Sequence, residues 1–126
     1  MANATLPPCA RLRRAADFAA LRHAPGRARG RFFMLRFGGN DVDTARLGMA
    51  VSRRVSLRAV ERNRIKRLIR DSYRHRRDSL PCADILVIAH RDAAGQPGSV
   101  LRSDLDALWS RVRPSKRMGA HGKAVG

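Results

Sequence analysis

The residues best placed to do chemistry lie in one run: Glu61-Arg62-Asn63-Arg64-Ile65-Lys66-Arg67-Leu68-Ile69-Arg70-Asp71-Ser72-Tyr73-Arg74. At about 100° per residue the run reads as a helix. Ile65, Leu68, Ile69 and Tyr73 then share one arc, and Asn63, Lys66, Arg67, Arg70 and Arg74 share another. The first arc can pack on a core, with Tyr73 toward the core edge. The second presents cations and an amide to solvent or to a polyanion. Like charges at i,i+4 (Lys66 with Arg70, Arg70 with Arg74) cost roughly 0.2–0.5 kcal/mol each in an isolated helix. A basic helix face is most often just a solvated surface. Here it weakens the free helix, so a binding partner is the economical explanation. Arg62 falls on the apolar side of the wheel, where it either acts from the helix start or bridges to a sheet edge.

Composition favours a polyanion. The chain has 126 residues, one domain's worth. Lys plus Arg number 27 against 10 Asp plus Glu, a net charge of +17. Only Lys66, Lys116 and Lys123 are lysines. Arginine suits planar, bidentate phosphate contacts and stacking on bases, although a GC-rich coding sequence would produce the same excess. Charge of this size speaks to partners and not to fold. Nucleic acid is the first candidate. An anionic membrane surface is second, but no apolar stretch approaches the roughly 18 residues of a spanning helix, and Met1–Ala10 lacks a signal-peptide pattern. Cys9 and Cys82 form no CxxC, and His23, His75, His90 and His121 are scattered. The cysteines read as reduced thiols of a cytosolic protein, with no zinc signature. There is no glycine-rich phosphate loop, no GxSxG and no evident acid–base pair.

The elements that must position the basic run follow from patterning. Residues 1–10 read as a loose start, interrupted by Pro7-Pro8. Leu12 to Arg22 reads as a short helix ended by Pro25-Gly26, and 26–31 as a basic loop. Arg31 to Phe37 is a strand candidate, with Phe33, Leu35 and Phe37 on one face and Phe32, Met34 and Arg36 on the other. Gly38-Gly39-Asn40-Asp41 is a turn signal. Arg46 to Ser52 is the next strand, whose Gly48, Ala50 and Ser52 face leaves room for a packed helix or a nucleotide chain. Pro81 stops the central helix. Asp84 to Ala89, apolar without a break after Asp84, is read as a strand buried on both faces. A last helix is capped by Ser99 or Ser103, and its Leu101, Leu105, Leu108 and Val112 stripe is core. Residues 114–126 form a basic tail of disordered composition. The order is that of a small α+β protein, a two-layer α/β sandwich.

At this point the chain resembles a known family. Arg62-Asn63-Arg64-Ile65-Lys66-Arg67-Leu68-Ile69-Arg70 is similar to the signature helix of the protein subunit of bacterial ribonuclease P. Arg11-Leu12 with Asp17-Phe18, Arg31-Phe32-Phe33, Val51-Ser52-Arg53-Arg54-Val55 and Ala59-Val60 extend the resemblance over about residues 11–113. It implies a sandwich similar to the second domain of ribosomal protein S5, with a left-handed β-α-β crossover. It also implies a subunit, monomeric and one per catalytic RNA, that helps remove the 5′ leader of precursor tRNA in the cytoplasm. The magnesium ions and the hydrolysis belong to the RNA, and no protein residue is catalytic. By resemblance Arg62, Asn63, Arg64, Lys66, Arg67, Arg70 and Arg74 contact the catalytic RNA. Phe18, Arg22, Phe32, Met34 and Arg36, with Ser52, Arg53 and Arg54 at the rim, hold the single-stranded leader. Asn63 fits a polar contact to RNA or to a hydrated metal ion.

Two departures stand out. Arg22 and Arg36 occupy places where the family often has aromatics, which implies guanidinium contacts in place of stacking. Ser56 stands where glycine is common, and the link over 55–58 is about one residue longer. The alternatives are a structural RNA-binding protein of ribosomal type and a nuclease that acts alone.

Overall fold

The computed structural model describes residues 21, 23–39 and 45–113. The expected helix over 12–22 lies outside them except for Leu21 and His23 beyond its end. Phe18, Arg22, the start over 1–10, residues 40 and 41 and the tail over 114–126 also lie outside.

Among the described residues four strands and two α-helices of more than one turn follow in the order β1 (Gly26–Arg29), β2 (Phe33–Gly39), β3 (Arg46–Ala50), α1 (Ala59–Arg76), β4 (Ala83–Ala89) and α2 (Gly98–Trp109). The sheet order is β1-β2-β4-β3. β1/β2 and β2/β4 are antiparallel, and β3/β4 is parallel. A parallel pair needs a crossover, and α1 supplies it. β4 is central and almost wholly buried, as its apolar run requires.

Alternation gives the sheet two faces. Phe33, Leu35, Phe37, Leu47, Ile85 and Val87 join Ile65, Leu68, Ile69 and Tyr73 of α1 and Leu101, Leu105, Leu108 and Trp109 of α2 in one core. Tyr73 is fully buried at its centre, not at its edge, with its ring 5.7 Å from that of Trp109. Ser72 Oγ accepts a 2.8 Å hydrogen bond from Trp109 Nε1, so the indole N–H is satisfied inside the core. On the opposite face Leu86 packs with Leu21 and Ala24, and Ala50 and Ile88 lie against them.

Several local expectations are corrected. Residues 26–29 are the edge strand β1, not a loop. β2 continues through Gly38 and Gly39, which pair with Asp84 and Ala83. No serine caps α2: Pro97 holds the N-cap position and Ser103 lies inside the helix. Phe32 precedes β2, is buried, and joins the main core. It therefore does not share a face with Met34 and Arg36. The cause is a contact distant in sequence: the Asp104 carboxylate accepts the backbone N–H groups of Arg31, Phe32 and Phe33 at 3.0–3.1 Å. This bends the chain ahead of the strand. The Arg31 guanidinium then covers the Phe32 ring at 5.3 Å.

Candidate nucleic-acid interface

α1 starts without a side-chain cap, and the link before it is fixed by other means. Arg54 N–H donates to Ser52 Oγ at 3.2 Å, and Arg58 N–H donates to Ser56 Oγ at 3.1 Å. Arg62 Nη1 donates to the Ser56 carbonyl at 3.0 Å. Arg62 thus acts from the helix start, back onto the link. Ser56 and Val55, the latter buried, hold the path of 55–58.

Glu61 ties the first turn of α1 to the loop after β4. Its carboxylate accepts two hydrogen bonds from Arg64, at 3.2 and 3.0 Å, and one from Gly95 N–H at 2.9 Å. Gly95 has φ +79°, a left-handed conformation that favours glycine. The Arg64 hydrogen bond, and then that of Gly95, hold the Glu61 pKa down at about 2. Arg64 also donates to the Gln96 carbonyl at 2.9 Å. Near the far end, Arg74 bonds Asp71 at 2.6 Å, and Asp71 also pairs with Arg102 at 2.8 Å.

The expected basic face therefore divides. Arg62, Arg64 and Arg74 are engaged in holding the fold. The side chains of Asn63, Lys66, Arg67 and Arg70 make no hydrogen bond or ion pair among the described residues. Asn63 and Arg67 are exposed, and Lys66 and Arg70 are half-buried. The four share one helical arc facing away from the core, a strip of uncompensated positive charge beside one amide. Such a strip can bind phosphate oxygens, and it has no group for general acid–base work.

The other face of the sheet carries a second cationic surface. Cross-strand register sets Arg27-Arg36-Leu86-Gly48 in one row and Arg29-Met34-Ile88-Ala50 in the next. Arg27 and Arg29 are exposed; Met34 and Arg36 are half-buried. The third row ends in Asp84 and Arg46, joined by two hydrogen bonds of 2.7 and 2.8 Å. Ser52, Arg53 and Arg54, all exposed, continue from β3 at the Met34–Ile88–Ala50 end.

Of the leader residues expected from sequence, Met34 and Arg36 are brought together on this face, with Ser52, Arg53 and Arg54 beyond its end. Phe32 is separated from them, and Phe18 and Arg22 lie outside the described residues. Arg27 and Arg29 escaped the sequence reading. Their signal was the alternation of Arg27, Arg29 and Arg31 with Gly26, Ala28 and Gly30, which is the period of a strand edge. The acids that are not exposed among the described residues, Glu61, Asp71, Asp84 and Asp104, all have cationic or N–H partners. No group of three or more His, Cys, Asp or Glu there could hold a metal ion.

Comparison with known proteins adds an independent finding. The model of the family "Ribonuclease P" matches residues 6–113. The ribonuclease P protein component of Bordetella petrii is 39% identical over 123 residues, covering 90% of this chain and all of that one. That of Desulforapulum autotrophicum is 38% identical over 113 residues, covering 89% of this chain and 96% of its own. Among solved structures, the RNase P protein of Staphylococcus aureus superposes with a TM-score of 0.76 at 28% identity, covering 80% of this chain and 93% of that one. The RNase P protein of Thermotoga maritima gives 0.73 at 28% identity, covering 82% and 97%.

Proposed function

Since the chain belongs to the ribonuclease P protein family, we propose that it acts as the RNA-binding subunit of the ribonucleoprotein that removes 5′ leaders from precursor tRNA. The observation that carries this reading is the pair of cationic surfaces on opposite sides of one sheet. The free arc of α1 (Asn63, Lys66, Arg67, Arg70) grips the catalytic RNA, and Arg62, Arg64 and Arg74 hold that arc in place. The sheet face opposite α1 (Arg27, Arg29, Met34, Arg36) takes the single-stranded leader, with Ser52, Arg53 and Arg54 at its rim. Leaders vary in sequence, so a cationic surface that tracks backbone suits them better than one that reads base edges.

In this reading the protein supplies binding and orientation. Magnesium-dependent hydrolysis of the phosphodiester belongs to the RNA, and the engaged state of the enclosed carboxylates supports that division. One protein joins one RNA, in the cytoplasm. No helix among the described residues is long and apolar enough to cross a membrane.

The test is reconstitution with ribonuclease P RNA at low magnesium. The protein should accelerate leader removal from precursor tRNA, and purified protein alone should cleave nothing. Tight RNA binding without acceleration would turn the reading toward a structural, ribosomal-type protein. Cleavage by protein alone would turn it toward an independent nuclease.

A further inference from the structure

Arg36 is an anomaly of the sheet face opposite α1. Its Nε is buried and has no hydrogen-bond partner. The residue directly opposite it on β1 is another arginine, Arg27, which is exposed. Paired residues of antiparallel strands project from the same face with Cβ atoms about 5 Å apart, and like charges placed so oppose the pairing. A desolvated guanidinium N–H without an acceptor is also disfavoured. Among the described residues no carboxylate pairs with Arg27 or Arg36, and Asp84, one row away, is held by Arg46 through both of its oxygens. Leu86, the next residue in the row, is buried under Leu21 and limits water on that side.

We infer that Arg27 and Arg36 form a seat for one backbone phosphate of the single-stranded leader. The inference rests on the leader reading above and sharpens it. A phosphodiester carries one charge and two unbridged oxygens. Two guanidinium forks on neighbouring strands can clasp it from two sides, Arg36 from within the face and Arg27 from its edge. The seat takes up the free Nε–H of Arg36 and neutralises the repulsion between the two side chains. It contacts no base edge, so at this point along the leader the protein is indifferent to base identity.

The test uses the holoenzyme and precursor tRNAs carrying one uncharged methylphosphonate linkage at successive leader positions, each with a 2′-deoxy sugar on its 5′ side. With the wild-type protein, one linkage should stand out, weakening substrate binding about tenfold. Arg36→Gln and Arg27→Gln should each weaken binding of the all-phosphate substrate by a similar factor. In either variant the sensitive linkage should lose its effect. Arg36→Gln should leave the free protein at least as resistant to heat. Base changes flanking the linkage should alter affinity less than twofold. The proposal is overturned if the linkage profile is the same in wild type and both variants, or if a flanking base change matters as much as the lost charge. In those cases the leader reading survives as long as affinity still rises from leaderless tRNA to leader-bearing substrate. Equal affinity for the two would remove the leader reading and the seat together.

Discussion

Replacing Lys66, Arg67 and Arg70 of α1 together by alanine should separate binding from folding. The three side chains have no partner within the described fold, so each is free to meet a phosphate. Each phosphate neutralised adds about 0.7–0.9 to the slope of log affinity against log salt. The triple variant should therefore flatten the slope for the catalytic RNA by about 2–3 and lower affinity at about 0.1 M salt by roughly 10²–10³. Stability should move the other way or not at all. The Lys66–Arg70 and Arg70–Arg74 repulsions, roughly 0.2–0.5 kcal/mol each, disappear, and alanine is the best helix former. The melting temperature of the free protein should hold or rise by up to about 4 °C. The contrasting variant is Arg64→Ala. It breaks the links to Glu61 and Gln96, which should cost on the order of 1–2 kcal/mol of stability. It should leave the salt slope nearly unchanged. Fluorescence anisotropy with labelled RNA across a salt series, beside thermal unfolding, reads both quantities. An unchanged slope in the triple variant, or an equal drop in Arg64→Ala, would refute the division of α1 into free and engaged cations.

Two further outcomes follow from the same geometry. Glu61 titrates at about 2 in the fold against an ordinary 4.5, so its contribution is present above about pH 4.5 and is lost as pH falls toward 2. Because the pair is partly exposed, the contribution is discounted to on the order of 1 kcal/mol; unfolding curves of wild type and Glu61→Gln should differ by that much near neutrality and converge in acid. Gly26→Ala would drive a Cβ into the Phe37 ring and backbone across the β1–β2 pair. It should destabilise the protein by about 1–3 kcal/mol in urea unfolding, and by shifting the edge strand that carries Arg27 it should also weaken precursor tRNA binding.

Much of this architecture is legible in the chain because its strongest signals are local. The 3.6-residue period of Ile65, Leu68, Ile69 and Tyr73 marks α1 and its outward arc, and the apolar run through Ile88 marks the central strand. What was not legible depends on partners far away in sequence. β1 reads as a loop because only Ala28 of its four residues is buried, and its regularity comes from pairing with β2. Gly38 and Gly39 read as a turn, yet β4 holds them in the sheet. Phe32 reads as sharing the face of Met34 and Arg36 because the carboxylate that bends the chain there lies 72 residues further on. The role of Arg64 was equally hidden, since its acceptor at Gln96 becomes a neighbour only after folding. The free arginine at position 36 could be named from sequence, but its enclosed, unsatisfied nitrogen could not.

The single sheet that separates α1 from the second cationic surface has an electrostatic consequence. A helix layer and a sheet layer together are about 20 Å thick, whereas the screening length in physiological salt is about 8 Å. Two ribonucleotide polymers docked on opposite sides, as the proposed function has it, would be screened from each other around the solvent-filled edges, while across the ion-free interior distance and the two cationic surfaces would weaken their repulsion. On the proposed function the protein would be a spacer as well as a double clasp, holding two mutually repelling polyanions apart while each meets the cations of its own surface.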